Sequence, residues 1–292
     1  MSHCPYCESP RIRWYYIVGR ESVRHCLNCD LLFREKTYSE KNISDYYRKD
    51  YYRDWEQDQD DSQRVPIYLD ALRFIETNTN KGILLDVGAG CGGLLSIARD
   101  RGWRIEGQEI SFESCRKAKQ KYGVELICDD IRNMDWEVNR FDAITMVNVL
   151  DHLPNPWWVL RKAFSALKKD GVIYMRVPNG NLHSRLYRIS HAIPIKSVRE
   201  RVRELMVIHL YHFSPRFFKK VLKDSGFGTV RICGSKVTYS SRSTSLDGPK
   251  LSQLLIRRKF SILSGMLYRL TGGSARFSPS IDVYAFKDWH QR

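Results

Sequence analysis

The stretch LLDVGAGCGGL, Leu84 to Leu94, sets an apolar strand directly against a glycine-rich turn that opens a helix. Gly88, Gly90 and Gly92 supply the positive φ that such a turn needs and let a ligand approach the backbone. The helix expected over 93–101 then aims its N-terminal amides at that ligand. The spacing is G-x-G-x-G rather than the G-x-G-x-x-G of dinucleotide binders. Asp86 lies on the strand before the turn, and Glu109 ends the next strand, RIEGQEIS, at the offset of about 20 residues where a carboxylate holds ribose hydroxyls. The turn reads as the nucleotide-facing loop of a Rossmann-like domain.

Outward from this loop, apolar runs alternate with amphipathic segments. Helices are expected over 66–78, 93–101, 112–122, 157–169 and 215–225, and strands over 83–87, 104–110, 124–128, 141–147, 171–177, 228–237 and 281–287. Apolar strands flanked by amphipathic helices indicate a parallel sheet covered on both faces.

Three further segments join the loop in resembling the class I S-adenosylmethionine (SAM)-dependent methyltransferases: VNVLDHLPNP from Val147 to Pro156, KKDGVIYMRVPN over 168–179, and HLYHFSPRFFKKVLKDSGF over 209–227. Within that class the chain resembles the type 23 methyltransferase-domain family, found in sugar, polysaccharide and secondary-metabolite modification. The resemblance implies an α/β fold with a Rossmann-like seven-stranded methyltransferase sheet, whose two late strands form an antiparallel edge. It also implies the cofactor residues. Asp86, Gly88, Ala89, Gly90 and Gly92 form the loop, Glu109 takes the ribose and Ile110 packs on adenine. Asp130, followed by Ile131, matches the position that accepts the adenine amino group, although helix capping explains Asp130 or its neighbour Asp129 equally well. Val147 and Asn148 line the methionine end, with Asn148 standing where many relatives carry Asp and Asp151 where many carry Glu. His152 points towards the acceptor. A hydroxyl acceptor needs a base, and histidine suits the task because its pKa lies near working pH. His152 ranks first, then His212, then His209; a structural role is open for each.

Near the N-terminus, Cys4 and Cys7 precede Cys26 and Cys29 with 18 residues between the pairs. This is the C-x2-C…C-x2-C spacing of a zinc ribbon, in which two knuckles present four thiolates to one metal. IRWYYIV, Gly19 and SVRHC between them read as a short hairpin. A closed four-cysteine site is structural, and the metal supplies folding free energy that so small a segment lacks. The domain plan is a zinc ribbon over 1–45, a tyrosine-rich and acidic linker over 46–65, and a methyltransferase domain over 66–292.

The chain of 292 residues carries a net charge of +15, unevenly placed. Residues 1–175 hold 26 Lys and Arg against 27 Asp and Glu, whereas residues 176–292 hold 22 against 6. Such asymmetry points to a polyanionic partner, nucleic acid or an acidic membrane face, or to a solvated basic surface. Two basic, amphipathic insertions, 181–208 and 240–275, stand outside the family plan. Their apolar stripes suit core packing, a dimer interface or a membrane surface. No segment has the roughly 18 consecutive apolar residues of a spanning helix, and MSHCPYC does not open as a secretory signal. The expectation is a cytoplasmic protein, at most peripheral at the inner face of a membrane. The expected activity is O-methylation of a small-molecule, saccharide or lipid-linked acceptor. RNA methylation, with ribbon and basic half holding nucleic acid, and non-catalytic SAM binding are the alternatives.

Overall fold

A computed structural model describes residues 2–18, 21–35, 64–203, 209–236 and 278–287, with 262–263, 265–266, 270–271 and 274–275 between them. The tyrosine-rich and acidic linker and most of the 240–275 insertion lie outside the described residues.

The sequence around the glycine turn builds a seven-stranded sheet. Its parallel strands are β4 (Ile83–Val87), β5 (Arg104–Glu109), β6 (Ile127–Cys128), β7 (Phe141–Val147) and β8 (Leu167–Pro178). The chain enters at β4, steps outward to β5 and β6, then crosses back to β7 and β8 on the other side of β4. Ligands of open α/β sheets bind at the carboxyl ends of the strands beside such a reversal. β10 (Thr229–Gly234) and β11 (Ser280–Phe286) complete the sheet, with β11 antiparallel to β8 and to β10.

Helices cover both faces. α1 (Val65–Asn78), α2 (Gly93–Asp100) and α3 (Phe112–Tyr122) serve one core, in which Leu72, Leu84, Leu95 and Tyr174 are buried. On the other, α4 (Pro156–Ala166) and α7 (Pro215–Asp224) bury Val159, Leu160, Phe217 and Phe218 against Ile144, Met146 and Val177. Local chemistry sets the helix starts. Ser111, Asn155 and Ser214 each accept a bond from the backbone N–H three residues on, and Pro156 and Pro215 occupy first-turn positions where an N–H is not needed.

Several expected boundaries move, and the strand expected over 228–237 ends at Gly234. The strand expected over 124–128 pairs only at Ile127 and Cys128. The helix expected to run to 169 stops at Ala166, because β8 starts at Leu167 opposite Phe141. Residues 168–171 then bulge, with Asp170 at φ +63°, before Val172 pairs with Ala143.

The N-terminal hairpin forms as its sequence predicts: β1 (Ile12–Val18) pairs antiparallel with β2 (Glu21–Cys26). β3 (Leu32–Arg34) extends it and pairs with β9 (Tyr211–His212), placing Leu32 opposite His212 and Phe33 opposite Tyr211. Tyr6 packs on Trp157 of α4 and Phe217 of α7, at 5.5 and 5.1 Å between ring centroids. Cys4, Cys26 and Cys29 are buried in the same core as those helices. The N-terminal unit thus shares its hydrophobic contacts with the large sheet.

Within the 181–208 insertion, α5 (Gly180–Ser190) and α6 (Lys196–Arg203) are helical, while residues 204–208 lie outside the described residues. α5 buries Tyr187 against Tyr16 and Val23 of the hairpin. Ile189, Ile195 and Val198 are exposed.

Candidate active site

The glycine turn has the backbone its sequence requires. Gly88 and Gly90 have φ of +66° and +54°, and a Cβ at Gly88 would stand 2.5 Å from Val149 Cγ2. No other residue fits there without displacing the loop after β7. Asp86, buried beneath the turn, accepts a 2.6 Å bond from Thr145 Oγ1. The Gly92 N–H bonds to the Ala89 carbonyl within the turn, and the Ala89 N–H bonds to the Gln108 carbonyl of β5.

Glu109 is the brace from outside. Its Oε2 accepts from the Gly90 N–H at 2.9 Å, and its Oε1 accepts from the Ile110 and Ser111 N–H groups, both at 2.9 Å. A carboxylate has about four lone-pair positions, so Oε2 retains capacity for a ribose hydroxyl. Burial pushes the Glu109 carboxyl up, against the three N–H donors. A glycine turn with positive φ beside a carboxylate that keeps acceptor capacity fits the adenosine half of SAM.

After β6, Asp130 caps a single turn, Ile131–Asn133, by accepting from the Arg132 N–H at 3.0 Å, and it holds the Arg132 guanidinium at 2.7 Å. Capping is therefore the role visible for this carboxylate. Ile131 is buried, and Asp129 accepts from the Asp130 N–H and from Asn133. Asn148, the first residue beyond β7, has φ +57° and is fixed by Arg176, whose Nη1 donates to its Oδ1 at 2.8 Å.

The loop after β7 continues into Leu150–His152 and brings an acid between two imidazoles. Asp151 Oδ2 lies 3.4 Å from His209 Nε2 and 3.7 Å from His152 Nε2, and the two rings are 4.1 Å apart. The Asp151 side chain is 3% exposed and neither of its oxygens has a hydrogen-bond partner. Burial raises the Asp151 carboxyl and holds His209 well below the ordinary histidine range. Both imidazoles remain partly accessible.

His212 is placed differently. Its Nδ1 meets Ser184 Oγ at 3.0 Å and Tyr16 OH at 3.4 Å, in the buried seam between α5 and the N-terminal sheet. Burial pulls it down to about 3, and pulls His183, bonded to the Pro279 carbonyl, down to about 4. A histidine that stays neutral in the fold yet titrates near 6.5 when unfolded destabilises the protein as pH falls through that interval. Replacing His212 by Asn keeps an acceptor near Nδ1 and removes this proton uptake. Between pH 6.5 and 4, the unfolding free energy of His212→Asn is expected to fall less steeply than the parent's, by about 1.4 kcal/mol per pH unit. Denaturant titrations across that range measure it; parallel slopes would refute a depressed His212.

The four N-terminal cysteines also converge. Cys4 and Cys29 sulfurs are 3.6 Å apart, as are those of Cys7 and Cys26, and all four lie within 4.8 Å of one another. Sulfurs at the corners of a tetrahedron with bonds of about 2.3 Å stand roughly 3.8 Å apart, so the cluster has the dimensions of a zinc site.

Comparison with known proteins agrees with this geometry. Residues 60–232 match the type 23 methyltransferase-domain family. The chain belongs to that family. Its curated relatives include ubiquinone biosynthesis O-methyltransferases: that of Coxiella burnetii is 33% identical over 126 residues, 40% of this chain and 53% of the relative. That of Idiomarina loihiensis is 33% identical over 129 residues, 40% of this chain and 52% of the relative. The chain spans about half the length of the curated relatives it matches. Among solved structures, magnesium protoporphyrin IX methyltransferase from Synechocystis, with S-adenosylhomocysteine (SAH) bound, superposes with a TM-score of 0.56 at 14% identity, covering 86% of this chain and all of that one. Phosphoethanolamine N-methyltransferase 2 from Haemonchus contortus, with SAM bound, gives 0.56 at 16% identity over 88% of this chain and 62% of that one. Family and fold agree: the matched domain is a methyltransferase domain, and the sheet is the one these solved methyltransferases carry. Among the described residues no helix is long and apolar enough to cross a membrane.

Proposed function

We propose that the chain transfers the SAM methyl group to a hydroxyl of a small-molecule acceptor, with Asp151, His152 and His209 receiving the proton. The observation that carries this reading is the buried Asp151 carboxylate, without a hydrogen bond and flanked by two imidazoles, in the loop that follows β7. The O-methyltransferase names of the curated relatives support it.

In the proposed site the loop from Gly88 to Gly92, Glu109 and Ile110 hold adenosine. Asp130 and Ile131 border the adenine, and Val147 and Asn148 the methionine end. SAM supplies an electrophilic methyl on a sulfonium, so the transfer needs alignment more than covalent help. His152 accepts the hydroxyl proton and Asp151 stabilises the imidazolium that results. His209, kept neutral by burial, takes the second place next to the same carboxylate. His212 serves the seam rather than the reaction. The ribbon cysteines Cys4, Cys7, Cys26 and Cys29 hold one structural zinc. The location is cytoplasmic, and an acceptor held in the inner face of a membrane would meet the exposed basic and apolar residues of α5 and α6.

The test is label transfer from methyl-tritiated SAM to phenolic, saccharide and vesicle-embedded lipid hydroxyls, with RNA as a fourth acceptor. Label is expected on a hydroxyl compound, with turnover reduced by about 100-fold or more in His152→Ala. Label on RNA alone would overturn the small-molecule reading.

A further inference from the structure

One cation interrupts the apolar run GVIYMRVP of β8. Arg176 is 5% exposed, two residues before the carboxyl end of the strand. Its Nε donates to Ser235 Oγ at 2.9 Å and its Nη1 to Asn148 Oδ1 at 2.8 Å. Those acceptors are neutral. Its cross-strand neighbour on β11 is Asp282, whose carboxylate accepts from Tyr174 OH at 3.0 Å and offsets part of the Arg176 charge from a distance, without an ion-pair contact to it. A buried guanidinium without a contacting anion is costly. Burial accordingly lowers the Arg176 pKa and raises that of Asp282.

The position of this charge indicates what would compensate it. Asn148 and Arg176 are tied twice, by the side-chain bond and by the Asn148 N–H donating to the Arg176 carbonyl at 2.8 Å. They stand at the carboxyl ends of β7 and β8, beside the loop whose Val149 fills the space over Gly88. Glu109 marks the ribose end of the crevice on β5, across β4 from β7. A nucleoside whose ribose lies at Glu109 therefore extends its other end towards Asn148. In SAM that end is an amino acid, and its carboxylate is the molecule's one anionic group.

We propose that Arg176 is a cofactor-binding residue whose guanidinium takes the methionine carboxylate of SAM while its bond to Asn148 holds the adjoining loop. Arg176 Nη2 makes no bond to a described residue, which leaves N–H donors for the carboxylate. The inference rests on the reading that Glu109 and the glycine loop hold adenosine.

Calorimetric titration of the full chain with two probes tests it. SAH carries the amino acid; 5′-methylthioadenosine keeps the nucleoside and sulfur but lacks it. In Arg176→Met the Kd for SAH should rise about 10- to 100-fold, while that for methylthioadenosine moves by less than about threefold. Arg176→Lys should recover part of the SAH loss. Equal weakening of both probes would mean that Arg176 only supports the fold, and unchanged SAH binding would remove it from the site; either overturns the proposal. Should the variants fail to fold, the parent protein still decides: decarboxylated SAH should bind at least about tenfold more weakly than SAH, and equal affinities would refute the inference. A parent protein that binds SAH but binds methylthioadenosine far more weakly supports the inference, because the two probes share the adenosine and differ only in the amino acid. One that binds no nucleoside at all overturns both.

Discussion

Glu109→Ala is expected to weaken SAM binding by at least about 100-fold, the largest cofactor effect of any single side chain in the loop. Three backbone N–H groups, of Gly90, Ile110 and Ser111, lose their acceptor at once. Bonds to a charged acceptor contribute about 1.5–3 kcal/mol each, and the bond to Gly90 is one of those that tie the turn to β5, beside the bond from the Ala89 N–H to the Gln108 carbonyl. The ribose loses its carboxylate in the same step. Glu109→Gln should recover little, because one oxygen becomes an NH2 that faces an N–H donor. Calorimetry with SAH measures the change. An affinity within about threefold of the parent would show that the turn holds its shape without Glu109 and that ribose is bound elsewhere.

The glycine turn was legible because its constraints are local. Positive φ at Gly88 and Gly90, an apolar strand before them and a helix after them are all written within a dozen residues. The order of strands followed from the same alternation. What lay hidden were contacts between distant segments. β3 and β9 are separated by most of the chain, and nothing in LFR or in YH announces the partner each will take. Without that pairing, the three histidines look alike. With it, His212 turns into the seam with Tyr16 and Ser184, while His209, three residues earlier, meets Asp151. In sequence Asp151 only stands where many relatives carry Glu, and its burial follows from the loop closing against residues 209–211. Arg176 left a signal that went unused, a lone charge inside an otherwise apolar run of β8. Asp130 shows the converse: its capping role was readable from sequence, because Asp before a turn of helix caps by a local bond.

Removing zinc should disturb more than the ribbon. A free-standing ribbon would unfold alone on chelation and touch activity only indirectly. Here Cys4, Cys26 and Cys29 share a core with Phe213, Phe217 and Val159, and β3 is bonded to β9, immediately after His209 and before α7. Loss of the metal leaves four thiolates or thiols crowded within 4.8 Å, and bound structural zinc is worth on the order of 10 kcal/mol of folding free energy in small ribbons. Disorder in β3 then frees β9, and with it the segment that presents His209 to Asp151. The cofactor loop belongs mainly to the other core, around Leu84, Leu94 and Leu95, and should be less affected. The purified chain is expected to carry about one zinc on the four-thiolate arrangement. Chelation, or Cys29→Ser, should strip hydrogen-exchange protection from residues 2–35 and 209–224 together while residues 83–109 keep theirs, and methyl transfer should fall further than SAH affinity. Protection lost from residues 2–35 alone, with turnover intact, would show that the ribbon is an appendage. Protein isolated without zinc, yet protected throughout, would show that the cysteines fold without metal.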